Sequence, residues 1–160
     1  NVLVAGSKRL SDGNRALLES FGVSVDKKDT EVIDHFENNQ ELDFSRQHTV
    51  VEAKNAIASS VILGEFNGKA ATNSVLFKGV SHKLTKDNIL AVRILKGNPS
   101  TYSYFPSKAI SEGIESVGEM TSLVSALQGR NNARILFSGS LEMFSNQFFG
   151  TKVNGGFSSG

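Results

Sequence analysis

The feature that most constrains the fold is a pair of apolar runs near the end of the chain, "TSLVSALQ" and "ARILFSGS". They flank Gly129–Asn132, a turn rich in Gly and Asn, and these residue types tolerate the positive φ of a tight reversal. The second run is apolar on consecutive positions, which is typical of a strand covered on both faces. The two runs therefore predict an antiparallel hairpin with a buried second strand.

A Ser/Gly turn follows this strand and precedes helix-like spacing in residues 141–148. Such a junction can present a nucleophile, but the nucleophile elbow requires G-x-S-x-G. Two positions from Ser138 stands Leu136, and two positions from Ser140 stands Glu142, so neither serine fits. We predict no catalytic residue here, and we expect Ser140 to cap the following helix.

The chain opens with strand-like "NVLVAGS", a short helix in "SDGNRALLESFG" and a second strand-like run, "VSVD". Ser11 or Asp12 is a plausible N-cap, and Gly22 supplies the stop. A strand, a helix and a strand within about 25 residues form an α/β unit, usually a parallel pair with a right-handed crossover.

The middle of the chain holds "HTVVEA", "SVILGEF", "SVLFKGV" and "ILAVRILKG", each compatible with a short strand. "ILAVRILK" fits a helical turn or two equally well, since periodicity does not decide so short a run. "STYSYFP" alternates and stops at Pro106, which suits an edge strand. We predict one α/β domain with a mixed sheet over residues 1–150 and a flexible Gly/Ser tail over residues 151–160.

Composition excludes several classes of protein. The chain has 160 residues, 17 basic against 16 acidic side chains and no cysteine. The basic residues are scattered, which argues against a nucleic-acid surface, and thiolate chemistry and disulfides are excluded. No apolar run approaches the ~20 residues that span a bilayer. The chain opens inside a strand pattern without Met, so we expect a piece of a longer protein.

The sequence offers two further candidate sites, an anion site in the first turn and a metal site at the histidines. The turn "AGSKRLSDGN" lacks the glycine patterns of nucleotide-binding loops, although Lys8 and Arg9 leave an anion site open. His35 and His48 stand thirteen residues apart, without the close ligand pairs of zinc sites, so we predict no metal. We expect all three histidines, including His82, in or beside loops.

The aromatic run "STYSYF" is the candidate interaction surface. Exposed aromatic clusters often anchor interfaces, so Tyr102, Tyr104 and Phe105 are predicted to contact a partner. A sugar-binding module is another possibility, because it would combine exposed aromatic rings with carboxylates and amides. "STYSYFP" is the one modest sequence candidate for such a module.

An ordered set of motifs resembles a known family. "VIDHF", "QHTVV", "VLFKGV", "YSYFP" and "LQGRNNARILFSGSLEMFSNQFF" occur here in the order typical of the non-catalytic, 48-kilodalton-type (wheat-germ-agglutinin-binding-protein-type) subunit of eukaryotic oligosaccharyltransferase. The similarity runs from "NVLVAGS" to "NQFF". It implies a flavodoxin-like or amidotransferase-like domain that is incomplete at its N-terminal side.

The resemblance also implies a function and a location. Members of the family lie in the endoplasmic reticulum membrane, with this region on the lumenal side and a membrane anchor outside the present chain. They support a complex that transfers dolichol-linked oligosaccharide to Asn in N-x-S/T sequons. The expected partners are the catalytic multispanning subunit, the ribophorin-II-type subunit and the DAD-type subunit, with no cofactor. The alternative is a soluble flavodoxin-like or amidotransferase-like domain that binds or hydrolyses a small molecule.

Overall fold

The computed structural model describes residues 1–57, 74–85, 90–111, 113–129, 131–153 and 156–157. Within these ranges the strands are β1 (Val2–Ala5), β2 (Val23–Val25), β3 (Glu31–Ile33), β4 (Val51–Ala53), β5 (Asn55–Ala56), β6 (Val75–Phe77), β7 (His82–Leu84), β8 (Ala91–Lys96), β9 (Tyr102–Tyr104), β10 (Ser116–Val117), β11 (Ser122–Gln128), β12 (Arg134–Ser138), β13 (Lys152–Val153) and β14 (Gly156–Phe157). The α-helices of the same ranges are α1 (Asp12–Ser20) and α2 (Asn146–Phe149), and 3-10 helices form at Gly118–Met120 and Glu142–Phe144. The chain is thus mixed α/β and mostly sheet; the predicted "SVILGEF" strand lies outside the described residues.

The largest sheet contains β1, β12, β11, β8, β5, β7 and β2. Its centre is β11, which pairs antiparallel with β12 along one edge and with β8 along the other. β1 runs parallel to β12, so the sheet is mixed. The predicted terminal hairpin is confirmed, and Asn132 takes the positive φ of 59° in its turn. Within the ambiguous run "ILAVRILK", Ala91–Lys96 forms a strand, β8.

The first α/β unit differs from its prediction. Helix α1 begins and ends as expected, because the Ser11 side chain accepts a hydrogen bond from the Asn14 N–H and Gly22 has a φ of 83°. However, β1 and β2 do not pair with each other. β1 lies against β12, and β2 pairs antiparallel with β7. The expectation of a parallel pair was wrong because both strands find partners that are distant in sequence.

Three smaller sheets flank the large one. β9 lies between β10 and β3, β4 pairs with β6, and β13 pairs with β14. The prediction that "STYSYFP" is an edge strand was therefore wrong. Pro106 lies beyond the end of β9, so it removes no donor from the strand, and both edges of β9 can pair.

The end of the chain is more ordered than its composition indicated. The helix expected over residues 141–148 is divided into a 3-10 helix and α2, because Ser145 between them is extended, with a ψ of 146°. Val153 is 8% exposed and packs with Phe148, Val50 and Leu76. Part of the predicted tail at residues 151–160 therefore packs against the domain, and the boundary at residue 150 stays a prediction.

Most of the other buried apolar side chains form two clusters. One lies between the sheets and includes Val32, Phe77, Leu95 and Leu123. The second joins Leu18 of α1 to Val23, Leu127 and Phe137 of the large sheet. The helix and the hairpin thus share one apolar interface, which holds α1 against the sheet.

The sheets are joined where two glycine-containing turns cross. The chain reads Phe-Lys-Gly after β6 and Phe-Ser-Gly after β12, and the two glycines, Gly79 and Gly139, lie against each other. Val80 N–H donates to Gly139 O (3.0 Å), Val32 N–H to Gly79 O (2.9 Å) and Gly139 N–H to Leu123 O (3.1 Å). These bonds run from β3 of one sheet through both turns to β11 of the other.

This crossing leaves no room for a side chain. A Cβ atom on Gly139 would overlap the carbonyl oxygen of Val80, and one on Gly79 would overlap the carbonyl oxygen of Gly139. Backbone atoms cannot move aside as a flexible side chain can. Glycine is therefore required at both positions by close approach of the two backbones.

We predict that Gly139→Ala lowers the free energy of unfolding by about 3 kcal/mol, the upper end of the usual cost of overpacking. Gly13→Ala, in α1, is the control because nothing lies within 4 Å of its Cβ position. This control should be neutral or stabilising by up to about 1 kcal/mol. Urea unfolding of both variants measures the difference, and equal stability of the two would contradict the close approach.

Candidate functional site

The two serines of the Ser138–Gly139–Ser140 turn are structural. Both are fully buried. The Ser138 hydroxyl donates to Ser140 O (3.1 Å) and accepts from Ser140 N–H (3.2 Å). The Ser140 hydroxyl accepts from Met143 N–H (3.0 Å), within the 3-10 helix that follows. The predicted capping role of Ser140 is confirmed, and each hydroxyl is bonded to the local backbone.

His82 was expected in or beside a loop; it is the first residue of the interior strand β7, next to the loop that follows β6, and it is fully buried. Its Nε2 lies 2.6 Å from the Ser125 hydroxyl, and its ring meets Phe137 edge-on with centroids 4.9 Å apart. Burial lowers the pKa of His82 to about 3. The burial of His82 could not be predicted from the sequence, because a three-residue strand that pairs with distant strands leaves no periodicity to detect.

Asp26 follows Val25, the register partner of His82, but this buried carboxylate does not complete a triad with His82. Asp26 is 5% exposed and accepts hydrogen bonds from the Ser81 and Ser116 hydroxyls. Among the described residues, no hydrogen bond or ion pair joins an acidic side chain to His82. The arrangement lacks the oriented imidazole that a serine nucleophile requires.

The first turn does not leave its lysine free. Lys8 Nζ lies 2.9 Å from Glu31 Oε2, so its charge is balanced within the domain. Arg9 remains exposed, without an ion pair among the described residues. One exposed cation does not form an anion site, so the geometry gives no support to an anion site at Lys8 and Arg9.

Asp34 lies between the loop that follows β3 and the turn that precedes β9. It is fully buried after β3 and accepts hydrogen bonds from the backbone of Phe36 and Glu37 and from the hydroxyls of Ser100 and Thr101. Burial raises the pKa of this carboxyl, but the hydrogen bonds outweigh burial, so the pKa lies below its usual value. Asp34 therefore ties the loop after β3 to the turn before β9.

Three rings stack beside this carboxylate. His35 Nε2 lies 2.8 Å from the Tyr102 hydroxyl, and the His35 ring is 4.6 Å from that of His48 and 5.8 Å from that of Tyr102, centroid to centroid. Burial, and then the negative charge of Asp34, raise the pKa of Tyr102. His35 and His48 thus lie in contact, which the sequence analysis did not predict. The loop between β3 and β4 brings them together, although their spacing in the sequence is not that of metal ligands.

The predicted aromatic contact residues are not equally accessible. Tyr104 is 4% exposed, and its hydroxyl is bonded to Ala109 O and to Ser111 N–H. Phe105 is half-buried, stands edge-on to Tyr104 and carries Lys108 Nζ 4.2 Å above its ring. Tyr102 is also half-buried. Any contact with a partner would therefore use Tyr102 and Phe105, with Tyr104 packed behind them.

The segment between β3 and β4 lines a surface pocket. We call residues 34–48 the polar loop. The pocket has a volume of about 590 Å³ and is lined by Asn38, Gln40, Asp43, Phe44, Arg46 and His48. Two large rings of this loop lie in solvent, with Phe36 85% and Phe44 83% exposed. Sequence analysis missed this surface because an irregular loop shows no periodicity; its only signal was isolated Phe residues among amides and acids.

A buried carboxylate holds the polar loop in place. Asp43 is 5% exposed and accepts hydrogen bonds from the Ser45 hydroxyl and from the His48 backbone. It keeps both Arg46 and His48 in the left-handed region, with φ values of 54° and 57°. Residues other than Gly rarely adopt this conformation. The hydrogen bonds of Asp43 therefore stabilise a loop conformation that is uncommon for residues other than Gly.

The described residues contain neither a metal-binding cluster nor a membrane-spanning helix. No group of three or more His, Asp or Glu side chains there could hold a metal ion. No helix in that part of the chain has the length and apolar character to cross a membrane.

Comparison with known proteins gives a consistent result. Residues 1–159 match the family described as "OST48, N-terminal domain". Similar proteins include the dolichyl-diphosphooligosaccharide–protein glycosyltransferase 48 kDa subunits of Danio rerio (41% identical over 155 residues), Caenorhabditis elegans (38% over 154) and Drosophila melanogaster (37% over 155). Each alignment covers 96% of this chain and 34% of the relative. The chain thus spans about a third of the length of the curated relatives it matches.

We predict that His82 makes the fold sensitive to acid. Its folded pKa lies below its ordinary value of 6.5, so the unfolded chain binds more protons and stability is lost as the pH falls below 6.5. From this one residue the free energy of unfolding should decrease by up to about 1.4 kcal/mol per pH unit. Unfolding by urea between pH 7 and pH 5 measures the slope.

His82→Gln should make that slope shallower, whatever its effect on stability at pH 7. His35→Gln is the matched control, because His35 is exposed, and it should keep the slope. An unchanged slope in His82→Gln would contradict the burial of a neutral imidazole.

Proposed function

The chain belongs to the OST48 family through its N-terminal domain, and from this membership we propose that it forms part of a non-catalytic subunit of an oligosaccharyltransferase. The observation that carries the proposal is the match over residues 1–159, together with 37–41% identity to the 48 kDa subunits. The enzyme would transfer dolichol-linked oligosaccharide to Asn in N-x-S/T sequons. This subunit would support its assembly and stability.

The state of the candidate nucleophiles supports a non-catalytic role. Ser138 and Ser140 are buried and bonded to the local backbone, and His82 is held neutral beside Ser125. A nucleophile must reach its substrate with a base within hydrogen-bond distance. The hydroxyls of Ser138 and Ser140 and the Nε2 atom of His82 thus bond within the core, which is the arrangement expected of structural residues.

The location and the partners follow from the same family membership as proposals. The domain would stand on the lumenal side of the endoplasmic reticulum membrane, with a membrane anchor elsewhere in the full-length protein. Its partners would be the catalytic multispanning subunit, the ribophorin-II-type subunit and the DAD-type subunit. We also propose that the mixed sheet and α1 are part of a flavodoxin-like or amidotransferase-like domain.

Co-purification tests the proposed function. The natural full-length protein would be tagged, solubilised in mild detergent and assayed for glycan transfer to an Asn-x-Thr peptide. Transfer activity in the eluate that is lost when the multispanning subunit is removed supports the proposal. A tagged protein that elutes alone and inactive would contradict it and favour a soluble small-molecule-binding or hydrolase domain instead.

We predict that a Tyr102→Ser/Phe105→Ser double variant weakens recovery of the other subunits. Loss of two partly exposed rings from an interface removes apolar contact, and each 1.4 kcal/mol lost corresponds to about tenfold in affinity. The measurement is the amount of each subunit that co-purifies with the tagged variant.

Leu17→Ser is the matched control for this variant. Leu17 is 56% exposed on α1, away from the aromatic run, so its replacement should leave recovery unchanged. Tyr104 is left in place because it is buried and its loss would disturb the fold. Full recovery of every subunit with the double variant would refute the contact.

A further inference from the structure

The pocket beside the polar loop combines groups that the proposed scaffold role does not use. Its rim carries the exposed ring of Phe44, and its wall carries two amides, Asn38 and Gln40, with Arg46 and His48. Within the described residues, the side chains of Gln40 and Arg46 make no hydrogen bond or ion pair. Free donors and acceptors therefore surround one open aromatic face.

The wall of the pocket is costly for the fold. Asn38 Oδ1 and His48 Nδ1 are buried atoms that have no hydrogen-bond partner in the part of the chain that is described. Buried polar groups normally have partners, so each exception needs a reason. Arg46 and His48 in the same lining have left-handed backbone conformations. Such conformations are frequent at ligand-binding sites, where the surrounding structure holds the backbone in place.

The chemistry of the lining selects a neutral, hydroxyl-rich ligand. Asp43 and Arg46 contribute opposite charges, so the lining favours neither an anion nor a cation. Amides offer both donors and acceptors, and guanidinium offers donors in a fixed fork, which together suit neighbouring hydroxyl groups. The pocket volume falls in the range of ligand sites, which combine apolar surface with a few placed polar groups.

We propose that this pocket binds a sugar ring, a single unit of a neutral glycan. Phe44 packs against the apolar C–H face of the ring, and Gln40 and Arg46 hydrogen-bond its hydroxyls. Asp43 has both oxygens occupied by Ser45 and His48, so it positions the loop and does not bind the ligand. The inference rests on the pocket alone and goes beyond the proposed scaffold function.

The site differs from the sequence candidate for sugar binding. Tyr102–Tyr104 of "STYSYFP" form the central strand of a sheet, with Tyr104 buried, whereas the polar loop exposes the ring of Phe44 beside the amide of Gln40. An exposed aromatic ring beside an amide and a guanidinium therefore occurs on the loop before β4 and not at β9.

Photolabelling of the natural full-length protein in its complex tests the proposal. Photoreactive glycosides of glucose, mannose and N-acetylglucosamine would be cross-linked, and the labelled residues would be located by mass spectrometry of peptides. We expect at least one of the three sugars to label residues 36–48, and an excess of the same free sugar to suppress the label. No label in this segment, or a label that free sugar does not suppress, would overturn the proposal.

Matched variants separate the pocket from the rest of the loop. Phe44→Ala and Arg46→Ala should each reduce the label at least tenfold. Phe36→Ala is the control, because Phe36 is as exposed as Phe44 but does not line the pocket, and Arg9→Ala controls for loss of an exposed guanidinium. An equal loss in the controls would overturn the assignment.

A short neutral peptide serves as the competing probe. If it suppresses the label and free sugars do not, the pocket is a peptide site and the sugar proposal fails. Co-purification of transfer activity with these variants is read separately, so failure of sugar binding would not be mistaken for failure of the scaffold role.

Discussion

The close approach of Gly79 and Gly139 is the constraint on which the rest of the structure depends. Hydrogen bonds run from Val32 through both turns to Leu123, so two sheets share one continuous set of backbone contacts. The ring of Phe77 packs 3.4 Å from the position where a Cβ of Gly139 would lie. Because backbone meets backbone at the crossing, neither turn can shift without separating the sheets.

This crossing also explains why Ser138, Ser140 and His82 are closed off from solvent. The Ser138–Gly139–Ser140 turn ends β12 at the crossing, and His82 begins β7 just after Gly79–Val80, so their side chains enter a closed core. Their partners are the local backbone and Ser125. At the surface, the polar loop lies next to Tyr102 of β9 through His35. Asp34 hydrogen-bonds this loop to the turn before β9. The buried polar groups and the surface pocket beside the polar loop are therefore separate parts of the domain.

Local signals in the sequence predicted local structure well. The Ser11 cap, the Gly22 stop and the Gly129–Asn132 turn lie where short-range rules place them. Predictions of strand pairing were wrong for β1, which pairs with β12, and for β9, which is a central strand. Both pairings depend on residues that are distant in the sequence, so local patterns do not reveal them. The polar loop was missed for the same reason, since its shape comes from Asp43 and not from a repeat. Two Phe-x-Gly turns were visible in the sequence, but only the fold brings them together.

Hydrogen exchange of backbone amides in the intact protein tests this account most directly. The N–H groups of Val32, Val80 and Gly139 should be among the slowest to exchange, because each bonds across the crossing and opens only when the sheets separate. Exposed amides of the polar loop that face solvent should exchange faster. Rapid exchange at Val80 and Gly139, with slow exchange elsewhere in the sheets, would contradict the claim that the glycine crossing holds the domain together.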